Sequence, residues 1–197
     1  MTLITPLLDE EIPELAAFIN ECWRTTYGGF IHASFLAGLT AAEQSMRLRG
    51  QRDRGQVGVL ARSDDGELVG VVTYGPTHLE VLGDAGEIGK LYVHAPLIGT
   101  GLGHRLLTIA EDALTAMGYS RIGLDVFTAN QRAVDFYHAH GYVTVGRKID
   151  HIEGHDYPLD IMAKDMPSLG STETSSTGHT ARSQRLHVPD TVDVVAH

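Results

Sequence analysis

Residues 87–106 read Glu-Ile-Gly-Lys-Leu-Tyr-Val-His-Ala-Pro-Leu-Ile-Gly-Thr-Gly-Leu-Gly-His-Arg-Leu, and no other segment narrows the possible folds as much. A β-rich run over 87–94 ends at His94-Ala95-Pro96. A turn then holds Gly99, Gly101 and Gly103, and a helical pattern follows with Leu102, Leu106, Ile109, Ala110 and Leu114 on one face. Glycines in such a turn let backbone N–H groups converge, and the helix N-terminus adds roughly half a positive charge. A pyrophosphate can be held there without a dedicated lysine. The plainer alternative is a tight turn that packs the helix close to a sheet. Dinucleotide-fold spacing fails, because it needs glycine at His104 or Leu106, and the Gly-Lys-Ser/Thr of a nucleotide-triphosphate loop is absent from the chain.

The flanking pattern sets the class. Residues 2–8 are β-rich, and a helix is expected from Asp9 and Glu10 to about residue 27, with Pro13 tolerated in its first turn. Gly28-Gly29 breaks it. A second helical region spans about 33–54, with Gly38 as an interruption and Thr40 as a candidate N-cap. Strands at 57–62 and 68–74 flank Ser63-Asp64-Asp65-Gly66, a hairpin turn in which Gly66 supplies positive φ. A strand at 122–127, a helix at 130–140 ended by Gly141, and strands at 142–149 and 157–164 complete the chain. An opening hairpin and two closing strands exclude an all-parallel doubly wound sheet. The expectation is an α/β (α+β) fold, with a mixed, mostly antiparallel sheet of six to seven strands and about four helices.

The chain has 197 residues, 43% of them hydrophobic, which suits one core and hence one domain over 1–167. From residue 168 the composition turns rich in Ser, Thr and Gly, and 168–197 is expected to be a flexible tail. The net charge is −10, and the tail sets Glu173, Asp190 and Asp193 against only Arg182 and Arg185, so the acidity lies in the body. An acidic body argues against a nucleic-acid partner. It either favours a cationic small molecule or basic peptide, or is simply a solvated surface. No membrane-length apolar run and no signal peptide are found, and Cys22 has no second cysteine to pair with. A cytoplasmic protein is expected, with a homodimer left open.

Leu91-Tyr92-Val93, a short loop, then Gly101-x-Gly103 entering a long helix resembles the acetyl-CoA motif of the GNAT N-acetyltransferase family. About thirty residues later, Asn130-x-x-Ala133-x-x-Phe136-Tyr137-x-x-x-Gly141-Tyr142 resembles that family's second signature at every marked position. The resemblance implies a GNAT fold, splayed at the cofactor-binding strand, that transfers an acetyl group from acetyl-CoA, as co-substrate, to a primary amine. It assigns cofactor contacts to Leu91, Tyr92, Val93, Gly99, Thr100, Gly101, Leu102, Gly103, His104, Asn130 and Tyr137. The family's Arg or Gln at the head of the loop is Ile98 here, with Arg105 or Lys90 as candidate substitutes. That departure keeps open a non-catalytic acyl-CoA-sensing or partner-binding module.

The resemblance also places Tyr137 beside the CoA sulfur as the general acid. A tyrosine stays protonated near neutrality, with a reference pKa of about 10, and can donate to a departing thiolate. The resemblance, which puts a carboxylate eleven residues before Ile98, makes Glu87 the first candidate base, with Asp125, His94 or a water relay as alternatives and a solvent-facing strand-start glutamate as the plainer reading. Glu87 shares strand parity with Leu91 and Val93 provided no bulge intervenes. The Val93 N–H is the candidate oxyanion donor. Trp23 and Tyr27 are acceptor-contact candidates or core aromatics. His151 and His155 do not form a zinc motif, so no metal is expected, and a loop bordering the acceptor pocket is the reading for 151–156.

Overall fold

In the computed structural model, residues 2–167 are described; the tail expectation for 168–197 falls outside the described residues. Seven strands form one sheet: β1 (Leu3–Pro6), β2 (Val57–Arg62), β3 (Leu68–Pro76), β4 (Gly86–Val93), β5 (Arg121–Phe127), β6 (Val143–Ile152) and β7 (His155–Asp165). Their order across the sheet is β1-β2-β3-β4-β5-β7-β6, antiparallel except for β4 beside β5. That parallel pairing holds only at Gly86↔Ile122 and Glu87↔Gly123, after which the strands part.

Among the described residues five α-helices cover the sheet: α1 (Ile12–Tyr27), α2 (Ala33–Gly38), α3 (Ala41–Asp53), α4 (Leu102–Ala116) and α5 (Gln131–Ala139). About four were expected. The region read as one interrupted helix is two, because the chain is extended at Leu39 and Thr40 before α3 restarts. Thr40 caps that restart, accepting from the Glu43 N–H at 3.3 Å and donating to the Glu43 carboxylate at 2.8 Å.

One face of the sheet packs on α4 and α5 through Val72, Ile88, Leu106, Leu107, Leu114, Ile122 and Leu124. The other packs on α1 and α3 through Ile12, Leu15, Ile19, Leu48, Leu60 and Val71. Each such side chain contributes roughly 1.5–3 kcal/mol when fully buried. The 151–156 segment is not a loop. β6 and β7 pair out to Ile152↔His155 around Glu153 (φ 47°) and Gly154 (φ 78°), the two positive-φ residues of a tight hairpin turn.

Candidate active site

A cleft of about 1170 Å³ opens where β4 and β5 diverge. Gly99 (φ 83°) and Gly101 (φ 90°) shape the turn before α4 in left-handed conformations. The first backbone bond into α4 runs from Arg105 N to Gly101 O at 3.0 Å, so the N–H groups of Leu102, Gly103 and His104 precede the intrahelical ladder. A Cβ built on Gly101 would meet nothing within 4 Å, which leaves the mouth of this cradle open to an anion.

His94 N donates to Val69 O at 2.9 Å. Strand alternation therefore turns the N–H and C=O groups of Leu91 and Val93 away from β3, into the gap beside β5. Beyond Glu87 the β5 ladder supplies them no partner. A pantetheine-like chain has backbone groups to pair with along this edge.

A bulge changes which side chains share a face. The β3–β4 register pairs Thr73 with Lys90 and Tyr74 with Ile88, leaving Gly89 as the extra residue. Glu87 therefore does not share a face with Leu91 and Val93, which pack with Ile88 toward α4. Lys90 and Tyr92 instead reach the α1–α3 side, bonding Gln51 and Trp23, and Glu87 falls on that side with them.

Glu87 is 3% exposed. Its Oε2 accepts from Thr77 Oγ1 (2.8 Å), His78 N (2.9 Å) and His78 Nδ1 (2.9 Å). Burial alone would raise its carboxyl, but the bonds from His78 and Thr77 outweigh burial and hold it below the ordinary carboxylate value. His78 is correspondingly raised by its bond to Glu87. Neither Thr77 nor His78 is marked by local pattern; the β3–β4 register, which pairs Pro76 with Gly86, brings them there.

Tyr137 is buried against Phe136 and Tyr142. Burial, then Tyr27 and Asp125, push its hydroxyl above the ordinary phenol value, so it stays protonated. Trp23 Nε1 donates to Tyr92 Oη at 2.9 Å, and Tyr27 Oη lies 3.5 Å from the same oxygen. These rings are at once core and cleft wall. Asn130 caps α5 through the Ala133 N–H (3.4 Å) while lining the cleft.

Of the sequence-predicted residues, Trp23, Tyr27, Glu87, Leu91, Tyr92, Val93, Gly99, Gly101, Gly103, His104, Asn130 and Tyr137 line this one cleft. Two side chains do not. Leu102 is buried under α4 because it belongs to the apolar face of that helix, and Thr100 turns back to donate to Leu97 O at 2.7 Å. Of the alternative bases, Asp125 lines the cleft paired with Lys148, whereas His94 lies off it, 3.9 Å from Glu21. Neither proposed substitute for Ile98 serves the loop: Arg105 bonds Thr2 O, and Lys90 bonds Gln51 Oε1 at 2.7 Å. Among the described residues, no group of three or more His, Cys, Asp or Glu could hold a metal ion, and no helix is long and apolar enough to cross a membrane.

The sequence model of the acetyltransferase (GNAT) family matches residues 15–142. The chain belongs to this family and is an acyltransferase with its fold. It is 26% identical over 165 residues to an uncharacterized N-acetyltransferase, YuaI, of Bacillus subtilis (strain 168), covering 84% of this chain and 92% of that one. The PaiA N-acetyltransferase of Thermoplasma acidophilum, solved in complex with coenzyme A, superposes with a TM-score of 0.65 at 21% identity, covering 84% of this chain and 99% of that one. A GNAT-family acetyltransferase of Streptococcus pneumoniae superposes with a TM-score of 0.61 at 26% identity, covering 84% and 100%.

Proposed function

We propose that the protein transfers the acetyl group of acetyl-CoA to a primary amine in a ternary complex, with residues 1–167 as the catalytic domain and the cytoplasm as its location. The parting of β4 from β5 carries the reading. It opens a passage with an anion cradle at α4 on one face of the sheet and the Glu87, Tyr92 and Tyr27 wall on the other. The backbone of Leu91 and Val93, the open N-terminus of α4 and the empty space at Gly101 fit a CoA thioester, and the PaiA relative was solved with coenzyme A.

Acetyl-CoA supplies a thioester carbonyl: the amine nitrogen forms the new C–N bond, the C–S bond breaks, and CoA leaves as a thiolate that takes up one proton. The residues of the chain manage the remaining charges. Glu87 accepts the proton that frees the amine lone pair, and His78, whose side chain is 63% exposed, carries it toward solvent. The Val93 N–H donates to the developing oxyanion. Tyr137 keeps its proton until the thiolate departs, then donates it and is restored by the second proton, which the acylated nitrogen sheds.

Thiol release from acetyl-CoA is the test, using a panel of amino acids, polyamines, aminoglycosides and basic peptides, with acetylated products identified by mass spectrometry. An acetylated amine is the expected result. Acetyl-CoA binding with no product, even from a cell extract, overturns the reading in favour of acyl-CoA sensing.

A further inference from the structure

Beyond Glu87 the cleft runs into an end walled by α3 and β4 that none of the steps above uses. α3 buries Ser45 and Leu48, the latter against the α1 cluster. Along α3 and its C-cap, the residues presented to the cleft are Gln44, Arg47, Gln51 and Arg54, spaced three, four and three apart along one stripe. A helix lining a cavity for packing alone would turn apolar residues inward; this one turns two amides and two guanidiniums.

Lys90 reaches the stripe from β4, donating to Gln51 Oε1 at 2.7 Å. Arg47 and Arg54 both act on its charge, so three cations crowd one end of a cleft in a chain of net charge −10. The carboxylates of the cleft are engaged elsewhere: Glu87 with His78, and Asp125 and Asp150 with Lys148. Among the described residues neither Lys90 nor Arg54 forms an ion pair. Burial first, and the two arginines with it, pull Lys90 down to about 8 against the opposing effect of Asp125 and Glu87. A largely buried ammonium that forms no ion pair, with its opposite charges acting only at a distance, is costly, and an incoming anion offsets that cost.

We infer that the α3–β4 end of the cleft, through Lys90 and Arg54, binds an oxyanion carried by the acceptor amine itself, a carboxylate or a phosphonate. The acceptor class is then amino acids or aminophosphonates, and polyamines are excluded. The overall acidity of the chain suggests a cationic partner, but at this end of the cleft Arg47, Arg54 and Lys90 gather charge of the opposite sign, and a ligand responds to the charges nearest it. Glu87 and Lys90 reach the same side of β4 across the Gly89 bulge, so one molecule engages both, its amine at Glu87 and its oxyanion at Lys90. This assignment rests on the amine-acetylation reading for turnover, but not for binding.

Two measurements test it. In the thiol-release assay, amino acids and aminophosphonates are each compared with the amide or ester bearing the same amine. The oxyanion form is expected to be better by a factor of about 10 or more in kcat/KM, the size of one charge-assisted contact. Lys90→Gln and Arg54→Gln should each bring that ratio toward one, chiefly through KM. Arg54 is exposed, so its replacement leaves the core untouched.

The second measurement needs no turnover. Calorimetry compares N-acetyl amino acids and N-acetyl aminophosphonates with their amides, added to the full chain saturated with CoA. The oxyanion forms should bind, the amides should bind at least about tenfold more weakly, and both variants should erase the difference. Equal binding of acid and amide, no binding of either, or a preference unchanged in both variants overturns the proposal. Oxyanion-selective binding without acetylation of any amine would uphold the pocket and sink the transfer reading instead.

Discussion

His78 Nδ1 stands 2.9 Å from Glu87 Oε2, and the His78 backbone N–H reaches the same oxygen at 2.9 Å, so one residue grips the buried carboxylate twice. The grip holds Glu87 below its ordinary value and His78 above its own. Glu87 therefore stays ionised to lower pH than a free glutamate, and the acidic limb of kcat/KM should lie low. His78→Ala removes the imidazole bond while keeping the backbone one. The limb should move up in pH, which a pH–rate profile measures; an unmoved limb would remove Glu87 from the proton path. For stability, the Glu87 contribution is present above the ordinary carboxyl value and fades as pH falls through the depressed one. The His78 contribution is present below the ordinary imidazole value and fades as pH rises through the raised one.

Tyr137→Phe keeps the ring against Phe136 and Tyr142 and removes only the hydroxyl. A fall in kcat on the order of 10² is expected, with acetyl-CoA affinity nearly unchanged. Steady-state kinetics alongside direct binding separates the two. A variant with full kcat would show that the leaving thiolate takes its proton elsewhere.

Gly101→Val acts through the backbone. Nothing lies within 4 Å of the new Cβ, but φ of 90° is strained for any side chain, at roughly 1–2 kcal/mol. The turn should relax away from its cradle shape and the Kd for CoA should rise roughly tenfold, as read by calorimetry. Intact affinity would mean that the phosphates bind elsewhere.

Lys90→Met should stabilise the ligand-free protein. With its folded value near 8 against an ordinary 10.5, the unfolded chain holds the extra proton between those limits. The penalty is thus fully present below about pH 8 and fades as pH rises toward 10.5. The substitution should raise Tm at pH 7, by about 2–4 °C for each kcal/mol recovered, and flatten the stability curve between those limits. An unchanged Tm would show that water already solvates the ammonium.

The parts of this site that could be read in advance are local. Gly99, Gly101 and Gly103 mark a strand-to-helix turn by spacing alone, and the run from Asn130 to Tyr142 is continuous on one helix and its cap. The face of Glu87, left to hang on whether a bulge intervenes, has a different origin. Whether Gly89 counts as a strand residue or as a bulge depends on how β3 pairs with β4, and that pairing is not written in the 87–94 run. The stripe of Gln44, Arg47, Gln51 and Arg54 is hidden for the opposite reason, since on sequence it resembles a solvated helix face. Only the packing of Leu48 onto the α1 cluster turns the stripe toward a cavity. Cys22, which has no second cysteine to pair with, is buried, and burial pushes its thiol up to about 12.

β4 and β5 share two rungs and then separate. The sheet is in effect two panels, β1–β4 and β5–β7, leaning on each other like the halves of an unfinished arch. A thioester arm laid along the open edge of β4 would be the keystone, bonding to one panel while filling the space beside the other. Substrate and scaffold then share a seam, so loading the protein with its cofactor should also stiffen the whole of its middle.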